Sequence, residues 1–236
     1  MALPKLNTSR HLTTIPSTGK EVEYRPYLVK EEKILMMALE TKDQSSIIRA
    51  VAQVIGDCIT EDIDTSKLAM FDIEYLFLQL RSKSSGEIID LKLPCEVMEC
   101  KHVNNFSVDI AKIAVPVMKK IEPIQLTDQI GVSMRYPNVK DLEGIDSDEL
   151  ASVEGASKLF HKLILNIFEE DEIHNAADEP AEDLRAFVDS LNSDQFGKLA
   201  SFLGEIPTVE LQTGFECTKC KHETKLSLKG LQSFFI

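Results

Sequence analysis

CEVMECKHVNNFSVDI (residues 95–110) and FECTKCKHETKLSLKGL (residues 215–231) are two versions of one pattern, with Cys100-Lys101-His102 answered by Cys220-Lys221-His222. Each places a cysteine pair at a tight turn and follows it with the polar–apolar alternation of a β-strand. Before the first turn Ile89, Leu91 and Leu93 alternate with Asp90 and Lys92; after it Phe106, Val108 and Ile110 alternate with Ser107 and Asp109. Residues 89–110 therefore read as a hairpin with cysteines at its tip. Half of a zinc ribbon has this form, and two halves supply four thiolates.

Cys95, Cys100, Cys217 and Cys220 are four of the chain's five cysteines. Cys217-x₂-Cys220 has the spacing that lets one turn present two sulfurs to a tetrahedral zinc, and Cys95-x₄-Cys100 is a looser version. If the hairpins meet, the site is a closed Cys₄ zinc site with a structural role and no open position for catalysis. His102 and His222 are reserve donors, but each lies two residues past its cysteine and begins the return strand, so both are expected just outside the ligand sphere. Unmetallated turn cysteines, or metal held by the C-terminal pair alone, are the alternatives. A thioredoxin-like role asks for the pair at a helix N-terminus in a βαβ unit, whereas strand patterns flank this one. Cys58 sits apart in an apolar helical run and reads as a small buried residue.

Outward from the hairpins the period changes to that of helices. Val29–Glu40 has Ile34, Leu35, Ala38 and Leu39 on one face, and residues 44–59 repeat Ile47, Ile48, Val51, Val54 and Ile55 at helical spacing. FDIEYLFLQLRSKSS (71–85) is a third helix, capped by Asp64 or Thr65 upstream and stopped by Gly86. Short strands are expected at 124–126 and 130–134, a loop at 141–150, a helix over 156–168 and a polar loop over 169–180. Pro180 opens a helix carrying Leu184, Phe187, Val188 and Leu191. Ser193 or Asp194 caps the last helix, which Gly204 and Pro207 end.

The order helices–hairpin–helices–hairpin predicts an α+β fold, with helical segments combined with β-hairpins and the two cysteine knuckles forming one zinc-ribbon-like site. Residues 1–28, with Pro4, Pro16, Gly19 and Pro26, read as an extended N-terminal arm. Residues 29–140 form a helical part with the first cysteine hairpin and the short strands. Residues 141–236 form an acidic helical part with the second hairpin, and the two parts are compatible with one compact unit.

The net charge of −13 is concentrated: Asp141–Asp194 holds 16 acidic residues against Lys158, Lys162 and Arg185, leaving 23 of each sign elsewhere. The stretch is either a solvated surface or a contact face for a basic partner. Nucleic-acid binding by phosphate neutralisation needs clustered Lys and Arg, which are absent, so no nucleic-acid partner is expected. Near the knuckles Lys101, Lys219, Lys221, Lys225 and Lys229 are balanced by Glu96, Glu99, Glu216 and Glu223. No signal segment and no apolar run of membrane length is seen, so a soluble protein without a membrane partner is expected, with cysteines kept reduced. Gly-rich phosphate loops, HExxH and GxSxG are missing, and His161 lies on an amphipathic helix as a structural residue; no enzyme is expected. Phe234 and Phe235 are candidate core plugs or partner anchors.

Several segments resemble the baseplate hub proteins of T-even-type tailed phages: EYRPYLVKEEKILMMALE (23–40), FDIEYLFLQLRSKSSGE (71–87), IGVSMRYP (130–137), LNSDQFGKLASFLGEIP (191–207) and FECTKCKHETKLSLKGLQSFF (215–235). They are distributed over nearly the whole chain. The resemblance implies a hub component or hub-assembly factor of a contractile-tail baseplate, working in the host cytoplasm during assembly or carried in the virion. Other hub and tail-initiation proteins are the implied partners. The family usually carries a tighter first cysteine pair, so four residues between Cys95 and Cys100 put the metal geometry in question. The competing function is a zinc-ribbon adaptor that binds nucleic acid or transcription machinery.

Overall fold

The computed structural model describes residues 7–231 apart from 119, 143–151 and 171. In chain order its strands are β1 (His11–Thr14), β2 (Glu21–Tyr24), β3 (Ile88–Pro94), β4 (Val103–Asp109), β5 (Ile124–Gln125), β6 (Ile130–Met134), β7 (Ile164–Glu169), β8 (Glu172–Asn175), β9 (Glu210–Glu216) and β10 (Glu223–Lys229). Its helices are α1 (Val29–Thr41), α2 (Gln44–Cys58), α3 (Met70–Ser85), α4 (Val153–Leu163), α5 (Ala181–Asp189) and α6 (Ser193–Gly204). The architecture is α+β, as the sequence predicts.

Helix α3 is apolar on more than one side, and two cores form around it. Ile73, Leu76, Phe77 and Leu80 meet α1, α2 and the β1–β2 hairpin. Tyr75 and Leu78 meet the β3–β4 hairpin together with Val209 and Leu211 of the C-terminal hairpin. Each such side chain taken fully from water contributes about 1.5–3 kcal/mol before the entropy of ordering it is counted. A third core lies under the antiparallel sheet β5-β6-β7-β8, where Val132, Met134 and Ile164 pack against Leu159, Phe160 and Leu163 of α4, Val188 of α5 and Leu199 of α6.

The helix starts have local causes. Asp43 caps α2 by accepting from Ser46 N–H at 2.8 Å. Asp64 caps only a short 3₁₀ turn at Thr65–Lys67, not α3 as expected; α3 starts from Ala69, whose N–H donates to Asp72 of the first helical turn at 3.1 Å. The same carboxyl accepts from Ser17 N–H at 2.8 Å and ties the N-terminal hairpin down. The last helix is capped by Asn192, not Ser193 or Asp194: Gln195 N–H reaches its side chain, and Gln195 returns a contact to Asn192 N–H, both at 2.9 Å.

Three further local expectations change. Within the stretch read as an extended arm, β1 and β2 pair with each other, and Tyr24 bridges to Ile59 beside the Arg25 N–H bond to Cys58 O. The helix expected over 156–168 stops at Leu163, because Ile164–Glu169 pairs with β6 on one side and β8 on the other. The polar loop over 169–180 contains β8. Expectations for the loop at 143–150 and for Phe234 and Phe235 lie outside the described residues.

An ion pair staples the third core to the first. Arg135 meets Asp141 with both guanidinium nitrogens, at 2.5 and 2.8 Å, and also donates to Lys162 O at 2.8 Å. Met70 N–H donates to Pro137 O at 3.1 Å, and Phe71 packs edge-on against Tyr136 at 5.1 Å.

Candidate metal centre

Both cysteine hairpins are regular antiparallel ladders, Ile88–Pro94 against Val103–Asp109 and Glu210–Glu216 against Glu223–Lys229. Their tips close in the same way. Cys95 N–H donates to His102 O and Cys217 N–H to His222 O, both at 2.8 Å. Lys101 and Lys221 both take the left-handed conformation, with φ of 44° and 62°. Such a φ costs a non-glycine residue roughly 1–2 kcal/mol, and here it turns the chain so that amides face the sulfurs. The lysine amides then reach back to Val97 O at 3.2 Å and Cys217 O at 2.9 Å. The first knuckle absorbs its two extra residues between Cys95 and this inner bond, so the wide spacing leaves both closing contacts intact. Met98, at the crest of that wider turn, is 80% exposed.

The knuckles bring Cys95, Cys100, Cys217 and Cys220 together, all four Sγ atoms within 4.8 Å of one another. Sulfurs of opposite hairpins lie close: Cys95 to Cys220 at 3.5 Å and Cys100 to Cys217 at 3.8 Å. A tetrahedron of thiolates about 2.3 Å from a central zinc has sulfur–sulfur edges of about 3.8 Å. The four-sulfur group therefore has the size of a metal site, and it can hold a metal ion. His102 and His222 are exposed and stand outside this group, as expected. Cys58 is also outside it: 1% exposed in the α2 core, with its thiol pushed up to about 11 by burial.

The electrostatics of the group suit a cation at its centre. Cys217 is drawn down to about 6, first by the Cys220 N–H and then by the Lys219 N–H and the Asn104 side chain. At Cys95 the Val97 N–H acts in the same direction, but burial and the three neighbouring thiols outweigh it and push the group up to about 12. Cys100 is likewise raised, burial and the sulfurs of Cys220 and Cys217 overriding the His102 N–H. Four sulfurs this close resist sharing negative charge among themselves, and a divalent ion removes that resistance.

Asn104 is the residue that sequence reasoning missed. Only 2% exposed, it donates from Nδ2 to His102 O at 3.0 Å and accepts at Oδ1 from Thr218 N–H at 3.0 Å and Thr218 Oγ1 at 3.1 Å. It thus fastens one knuckle to the other. Its signal is positional: it lies four residues past Cys100, as the buried Thr224 lies four past Cys220. Below the sulfurs Phe106 of β4 stacks on Phe215 of β9 with centroids 4.8 Å apart. His161 is a buried helix residue whose Nδ1 meets Ser157 O at 3.3 Å, and burial lowers its proton affinity.

Among the described residues no helix is long and apolar enough to cross a membrane. Comparison with curated proteins and with solved structures finds no match. A family model described as T4 bacteriophage base plate protein matches residues 8–236, a span that takes in both knuckles and all three cores. The chain belongs to that family of T4 bacteriophage base plate proteins.

Proposed function

We propose that this chain is a baseplate hub component or hub-assembly factor of a contractile tail, without enzymatic activity, acting through contacts with other hub and tail-initiation proteins in the host cytoplasm. The observation that carries this reading is the family match over residues 8–236. It is supported by apolar side chains left in water on α1: Val29, Met36 and Met37 are 65%, 60% and 68% exposed. Co-purification of the chain with hub and tail-initiation proteins tests it, and failure to associate with any of them refutes it.

In the same reading Cys95, Cys100, Cys217 and Cys220 hold one structural zinc that clasps the two hairpins. The all-thiolate donor set and the sulfur spacing support zinc, and four protein thiolates fill a tetrahedral site of the structural kind. Native mass spectrometry of protein prepared without added metal is the test. One zinc per chain, lost in Cys100→Ser and Cys217→Ser, is expected; a metal-free protein of unchanged thermal stability refutes the site.

A further inference from the structure

We propose that a cavity between the four-stranded sheet and α5 receives one lysine or arginine side chain of a partner protein. The cavity is about 310 Å³, at the low end of the roughly 300–1,000 Å³ that holds small ligands. Its floor is apolar, made by Ile130 of β6, Ile167 of β7, and Leu184 and Phe187 of α5. Its rim is anionic, made by Glu169, Glu179 and Asp183 around His174 of β8. A long side chain with a methylene stem and a cationic head matches both parts: the stem covers the floor while the head stays among the carboxylates at the mouth.

Charge complementarity singles out that occupant. His174 does not use up the rim: it lies 3.6 Å from Glu179 and 3.9 Å from Glu169 and Glu172, at ion-pair rather than hydrogen-bond distance, and one imidazole carries at most a single charge against the three carboxylates of the rim. Two of the three basic residues of the Asp141–Asp194 stretch are engaged at α4 instead. Lys158 pairs with Glu154 at 3.0 Å and Lys162 donates to Asp141 O at 2.9 Å, while Arg185 of α5 does not line the cavity. The negative charge of the stretch thus meets an apolar depression whose lining, among the described residues, holds no lysine or arginine of the chain itself.

The proposal deepens the reading of this chain as one that acts through protein contacts, and rests on it. The full chain, carrying ¹³C-labelled Ile and Leu methyls, is titrated with n-butylguanidinium, n-butylammonium and neutral n-butylurea. Saturable shifts confined to Ile130, Ile167 and Leu184 are expected with the two cations only, and the stronger cation tells arginine from lysine. Each carboxylate removed in Glu179→Gln and Asp183→Asn weakens the cation roughly two- to fivefold, as exposed ion pairs do. Equal shifts with butylurea, or no shifts in the cavity, overturn the proposal. Co-purification with baseplate proteins is then compared for the wild type and the double variant. Reduced capture by the double variant is expected, and undiminished capture overturns the docking role. If the wild type itself captures no baseplate protein, the hub reading fails separately, whatever the methyl titration gives.

Discussion

Asn104→Ala tests whether the two knuckles act as one site. The substitution removes three hydrogen bonds: Nδ2 to His102 O, and the two from Thr218 to Oδ1. Net contributions of 0.5–1.5 kcal/mol per bond bracket the loss, and because Thr218 is exposed and water can take over its donors, about 2 kcal/mol is expected. Asn104 also helps to draw the Cys217 thiol down, so its loss makes protons compete better with metal at that sulfur. Removing such a partner behind a ligand typically weakens metal binding 10- to 100-fold. Chelator competition measures the second effect, and thermal unfolding with and without chelator measures the first. Thr218→Ala, which deletes only the hydroxyl bond, should give a smaller change in both. If Asn104→Ala binds metal within about twofold of the wild type and melts at the same temperature, the knuckles are not coupled through Asn104, and the reasoning fails.

Three further outcomes are expected. Cys58→Ala keeps one metal ion per chain by native mass spectrometry, whereas Cys220→Ser loses it, since only the latter sulfur belongs to the cluster; equal loss would mean that Cys58 ligates. Gly214→Ala destabilises by about 1–3 kcal/mol in denaturant unfolding, because the added Cβ would lie 2.6 Å from the Thr224 carbonyl oxygen on the paired strand, where no flexible side chain can yield. Glu74 is pushed by burial from its ordinary 4.5 to about 7, against the opposing Val209 N–H. A carboxyl raised on folding binds its proton more tightly in the native state, so its contribution is intact below 4.5, falls between 4.5 and 7, and is lowest above 7. Glu74→Gln should therefore be more stable to unfolding than the wild type at pH 8, by about 1–3 kcal/mol, with the gap closing by pH 4.5; a gap independent of pH refutes this.

Much of this was legible in the sequence because it is local. Helices α1, α2 and α3 announce themselves through apolar residues three and four apart, and the two hairpins through alternation about a cysteine turn. The end of α4 was not legible. Phe160, Leu163, Ile164 and Ile167 satisfy helical spacing as well as they serve a strand, and the choice falls to β6, some thirty residues away, which pairs with β7. The β1–β2 hairpin was missed because HLTT and EVEY are too short to show a period, and its order comes from Tyr24, Val22 and Ile15 entering the first core. At the knuckles the cysteines could be read from spacing, but Asn104 could not: nothing in VNNF says which asparagine turns inward until the opposing knuckle is in place.

The pairing of Cys95 with Cys220 and of Cys100 with Cys217 joins residues 125 and 117 positions apart, and the third core lies wholly within that span. The sheet with α4, α5 and α6 is thus inserted into a ring that sulfur and metal would close. During synthesis this inserted body, and all of the α1–α3 core except Leu231, are made before Cys217. Closing a loop of this length is worth on the order of 5 kcal/mol of chain entropy, and none of it is available to a nascent chain. Metal capture would then be the last folding event, dividing a chain whose parts are merely folded from one whose C-terminal hairpin is docked.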